Sequence, residues 1–158
     1  MSEQHARRLR QVFLEKEAAQ EALNRRVEHA SNSPTFYDAD LEDLRRAAIN
    51  ADMTYYIRLT AELEGMLFRH LKDHHPSVAL EGKEGAALLL SHCRHRLSPN
   101  KKKIPKDLED EVMKAIRWRN YLVHGEKSTP PDRVSFDEAY GSIHDLLVLL
   151  PNMKGDHT

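Results

Sequence analysis

Apolar side chains recur along this chain every three or four residues and almost never alternate, which predicts amphipathic helices rather than strands. Leu9, Val12, Phe13, Ala19, Leu23 and Val27 form a narrow stripe over about residues 5–30, amid many charges. Ser31-Asn32-Ser33-Pro34 closes that helix. Asp38 or Asp40 suits the N-cap of a second helix, which reaches about His74 and is continuous or broken near Asn50-Ala51-Asp52. Its stripe is Tyr56, Leu59, Thr60, Leu63, Met66, Leu67, His70 and Leu71, and Pro76 and Gly82 mark the loop beyond. A third helix is expected over about Glu84 to Leu97, with Ala87, Leu90, Cys93 and Leu97 on one face.

A polar, basic connection from Ser98 to Ile104 leads to Pro105, suited to position N1 of a fourth helix that ends near His124-Gly125. Asp107, Glu109 and Asp110 favour its positive end. Ser135-Phe136-Asp137-Glu138 fits a capping box. Phe136, Ala139, Tyr140, Ile143, Leu146, Leu147 and Leu150 then give a fifth core face, which Pro151 stops. The pattern predicts an all-α fold, an antiparallel bundle of four to five helices.

Composition agrees with one globular domain: 158 residues, 40% hydrophobic and 31% charged, with few glycines and prolines inside the helical stretches. The net charge of −1 argues against a general polyanion binder, but the charge is uneven. From His92 to Arg119 nine Lys or Arg stand against four acids, an excess able to face a phosphate backbone. The single cysteine, Cys93, excludes an intramolecular disulfide and fits a reducing, cytoplasmic setting. No apolar region follows the N-terminal arginines, so no secretory leader is expected, and no apolar run is long enough for a membrane span.

The fourth helix carries the sharpest anomaly. At about 100° per residue, Leu108, Val112, Ala115, Ile116, Leu122 and Val123 fall within an arc of about 120°, and Arg119 falls near its middle. A guanidinium keeps its charge, so a core-facing position demands either a partner or a cleft. Asn120 and His124 are four residues apart and share a face, whereas Arg119 and His124 differ by about 140°. Bringing Arg119 and His124 together takes either unwinding at Val123–His124, which Gly125 permits, or two copies meeting across a two-fold axis. The set suits RNA cleavage: a ribose 2′-OH attacks phosphorus, a histidine moves the proton, and an arginine fork stabilises the phosphoryl oxygens. The competing structural reading pairs a buried Arg119 with Glu62 or Glu64 and makes His124 a helix C-cap.

The segment Arg119-Asn120-Tyr121-Leu122-Val123-His124-Gly125 resembles the signature of the HEPN superfamily, Arg-x4-His with Asn second, at the end of a late helix. The resemblance in layout covers roughly residues 40–150. It implies residues 1–35 as an N-terminal helical extension, 36–151 as a HEPN-like bundle and 152–158 as a tail. It also implies a homodimer and a metal-independent endoribonuclease, often of toxin–antitoxin or defence systems, with Arg119 and His124 catalytic and Asn120 assisting. A protein inhibitor such as an antitoxin is then an expected partner. One toxin branch has a tyrosine two places after the histidine; here Glu126 stands there, so regulation through that tyrosine is not expected. Other members only bind ligands or partners, and a non-catalytic module binding a protein or nucleotide is the second expectation.

Arg117, Lys114, Lys101, Lys102, Lys103 and Tyr121 are the expected RNA contacts, and Glu64 a support that steers Arg119. Tyr55, Tyr56 and Trp118 are further aromatics able to stack on bases, though core packing is the commoner use. His70 and His74 at i, i+4 spacing, and His92 and His95 around Cys93, raise a zinc reading. Neither HExxH nor paired CxxC supports it, so no metal and no cofactor are expected.

Overall fold

The computed structural model describes residues 3–33, 38–82, 84–95, 104–125 and 129–150. Five helices and no strand occur among them: α1 (Glu3–Asn32), α2 (Asp38–His74), α3 (Ala86–His95), α4 (Lys106–His124) and α5 (Phe136–Leu149). The all-α bundle expected from the apolar spacing is present. No helix among the described residues is long and apolar enough to cross a membrane.

Helix α2 organises the molecule, since it packs against each of the other four. It runs unbroken through Asn50-Ala51-Asp52. Its stripe of Tyr56, Leu59, Thr60, Leu63, Met66, Leu67 and Leu71 is buried as the periodicity predicts. Thr60 satisfies its buried hydroxyl by donating to the Ile57 carbonyl at 2.9 Å, so a polar side chain fits the stripe. Helix α1 lies antiparallel to α2: Glu15 pairs with Arg58, and His5 lies 2.9 Å from Arg69. Leu9 and Val12 enter the common core, so α1, set apart in sequence as an extension, supplies part of the bundle's interior. Farther along, Leu23 and Val27 are only half-buried.

Helix α3 begins at Ala86, two residues later than expected, because the Glu64 carboxylate accepts the Ala86 N–H at 3.2 Å. Leu89 joins Leu90 and Cys93 in its buried face, while Ala87 lies at the edge. Burial pushes the Cys93 thiol up to about 12, which leaves it in the unreactive thiol form. Pro105 is the N-cap of α4 rather than N1, its carbonyl accepting from the Glu109 N–H at 3.0 Å. Helix α5 opens on the expected capping box: the Ser135 hydroxyl accepts from the Glu138 N–H, and the Glu138 carboxylate accepts from the Ser135 N–H at 2.8 Å. Ser135→Ala is expected to lower unfolding stability by about 1 kcal/mol without altering helix content, as checked by urea denaturation with circular dichroism.

Candidate functional site

Helix α4 stays regular to its last residue, His124. Gly125 then takes the left-handed conformation, φ 61°, and donates its N–H to the Tyr121 carbonyl at 2.8 Å. That φ favours glycine and makes a sharp stop. Of the two routes open in sequence, local unwinding at Val123–His124 is not taken. His124 therefore stands exposed on the end of a complete helix.

Arg119 is half-buried, at the centre of the stripe whose buried members are Val112, Ala115 and Ile116. No carboxylate among the described residues pairs with it. Glu64, expected to steer it, caps α3 instead. The Arg119 guanidinium donates from Nη1 to Asn120 Oδ1 at 3.0 Å, while Nε is shielded from solvent with no acceptor. The fork thus leans off the stripe toward Asn120. Asn120 lies about 40° around the helix from His124. Asn120 thus links Arg119 to the edge that carries His124, although Arg119 and His124 themselves stand about 140° apart around α4.

The basic residues around the motif divide. Arg117 is exposed and about 20° around the helix from His124, so it belongs to the same edge. Lys114 does not: it borders a cleft lined by Glu111, Asp132, Glu138 and Asp145, where a phosphate would meet four carboxylates. Arg94, counted in the basic excess, is held by Glu109 at 3.2 Å. Lys101, Lys102, Lys103 and Glu126 lie outside the described residues. Tyr121 stacks on Trp118, ring centroids 5.4 Å apart, and is half-buried on the flank away from Asn120.

Sequence reasoning missed a groove of about 430 Å³ on that far flank, walled by Met53, Tyr56, Trp118, Leu122, Val134 and Phe136. Its residues come from α1, α2, α4, the start of α5 and the segment entering it. The available signals were Trp118 off the centre of its stripe and Ile49, which is 68% exposed at the groove's edge.

The histidines at the end of α2 form a cluster, with His70 ring centroids 5.0 Å from His74 and 6.0 Å from His75. No group of three or more His, Cys, Asp or Glu among the described residues is placed to hold a metal ion. Burial, then the neighbouring His74 and His75, push His70 from 6.5 down to about 4, against an opposing pull from Asp73. The unfolded chain takes this proton near 6.5 and the folded chain only near 4. The stability contribution is therefore full above pH 6.5 and is lost as pH falls toward 4. Urea denaturation should show that loss, and His70→Gln should flatten the pH dependence in this window.

Compared with known proteins, the chain matches no family model, no curated protein and no solved structure.

Proposed function

We propose that the protein is a metal-independent endoribonuclease of HEPN type, acting as a homodimer. The reading draws on its resemblance to the HEPN signature. The observation that carries it is Arg119: a half-buried guanidinium with no carboxylate partner among the described residues, bonded through Nη1 to Asn120 beside the edge that ends in His124. A structural lock needs an acid against Arg119; a phosphate site needs the fork open.

The chemistry follows from these groups. His124 on one protomer removes the proton from a ribose 2′-OH, and the oxygen attacks the adjacent phosphorus. The bond to the 5′-oxygen breaks, and that oxygen takes a proton from the second His124. The products are a 2′,3′-cyclic phosphate and a 5′-OH. Arg119 holds the charge that builds on the phosphoryl oxygens, and Asn120 fixes the fork. Arg117 guides the backbone. Two copies are needed because Arg119 and His124 leave one α4 about 140° apart. A toxin or antiviral-defence role in the cytoplasm, restrained by an antitoxin or other protein inhibitor, is the corresponding biological setting.

The test is incubation of the purified protein with labelled RNAs in EDTA. Cleavage leaving 2′,3′-cyclic phosphate ends is the expected result; intact RNA across varied substrates would sink the reading. The second reading, a helical module that binds a protein or nucleotide without cutting, rests on that same 140° divergence.

A further inference from the structure

The groove on the far flank of α4 combines apolar, cationic and acidic surfaces. Its walls are aromatic and aliphatic, and Trp118 presents an indole already backed by Tyr121. Its rim carries two cations, Lys16 and Arg133, and two carboxylates, Asp52 and Asp137. Lys16 lies along the wall, its ammonium 5.2 Å from the Phe136 ring centroid, and keeps Glu17 as a partner at 3.5 Å. Arg133 is exposed, has no ion-pair partner among the described residues, and stands between this groove and the acidic cleft that also holds Lys114. The volume of about 430 Å³ falls within the range of small-ligand sites.

Each part of that lining corresponds to part of a nucleotide. A flat π-face stacks on Trp118, as unpaired bases do on aromatic side chains. A phosphate suits Arg133 and Lys16. Carboxylates beside an anion site are unfavourable unless something donates to them, and the exocyclic amino groups of cytosine, adenine and guanine do so. Uracil lacks that amino group and offers only a single ring N–H. Trp118 lies about 100° around α4 from Arg119, so a strand with its scissile phosphate at Arg119 reaches the groove by passing around α4.

We propose that this groove holds one unpaired nucleotide of the substrate RNA, an amino-bearing base against Trp118 and its phosphate at Arg133 and Lys16. The proposal rests on the ribonuclease reading for its ligand, and it makes the groove the specificity subsite of that enzyme.

Trp118 is the sole tryptophan of the chain, so intrinsic fluorescence reports on the groove directly. The experiment titrates short oligocytidylate, oligoadenylate and oligouridylate into the full chain in EDTA. The His124→Ala variant is used so that no strand is cut. Saturable quenching by the first two, with binding of oligouridylate weaker by about tenfold or more, is the expected result. Arg133→Glu should weaken binding by about tenfold with an unchanged melting temperature. Absence of quenching, equal response to all three oligomers, or indifference to Arg133→Glu overturns the proposal. A fluorescence change that follows protein concentration without nucleotide overturns it in favour of a second copy. The two readings fail separately. Wild-type cleavage without quenching removes the subsite alone, while selective quenching without wild-type cleavage removes the nuclease and leaves the groove as a nucleotide-binding site.

Discussion

Replacing His124 with alanine is expected to reduce RNA cleavage by a factor on the order of 10³ while the fold is retained, a loss typical of removing a general acid–base. The expectation of a retained fold comes from position. His124 is exposed at the last residue of α4, and the helix end is closed by the Gly125 N–H rather than by the imidazole. Arg119→Ala should cost cleavage by about 10²- to 10³-fold, the scale of losing one pre-set donor at a developing anion. Its stem is half-buried, so a modest drop in melting temperature should accompany it. Arg119→Lys separates the two contributions. It keeps the charge and much of the stem but loses the planar fork held by Asn120, and it should restore stability far better than activity. Initial rates beside thermal melts of the same preparations check all three. Unfolding of both alanine variants would move Arg119 and His124 to a structural role. Undiminished cleavage by either would place the chemistry elsewhere.

What could be read from sequence followed from short-range regularity. The α2 stripe from Tyr56 to Leu71 and the Ser135–Glu138 capping box each lie within one element, where spacing fixes the face. The anomaly at Arg119 was legible for the same reason. Its resolution was not, because it depended on which acid reached it across the bundle. Glu64 goes to Ala86, twenty-two residues away in sequence, and nothing in the spacing of α2 expresses that choice. Lys114 shows the same limit: its acidic neighbours Asp132, Glu138 and Asp145 come from beyond α4 and cancel a basic count taken along the chain. The groove was the least legible feature. Met53, Trp118 and Val134 are each half-buried and ordinary, and only packing of three segments makes them one surface. How α1 divides was not legible either: Leu9 and Val12 are buried in the common core, while the rest of its stripe is only half-buried.

Leu63→Ala should be the most damaging single truncation in the scaffold, lowering unfolding stability by about 3–4 kcal/mol. Leu63 has no solvent-accessible surface and sits mid-way along the buried stripe of α2, the helix that touches all the others. The lost methyl groups forfeit their transfer free energy, and a stripe clamped between several helices has little freedom to close the cavity. A domain of this size has about 5–15 kcal/mol in total, so the variant should still fold at low temperature but unfold early in urea. Leu14→Ala, at a site 54% exposed on α1, is the matched control and should change stability by less than about 0.5 kcal/mol. Paired urea titrations read the difference; a cost below about 1 kcal/mol at Leu63 would mean that α2 is not the central element. The comparison also bears on the site. Leu63 touches neither the Arg119–His124 edge nor the groove by its position in the stripe, so cleavage by the folded variant should match wild type in the cold and fail first on warming. His124, exposed at the end of α4, should behave oppositely, losing cleavage at every temperature while the melting curve stays in place. That crossed pattern separates a scaffold that holds α4 in position from the side chains at the end of α4 proposed to act on RNA.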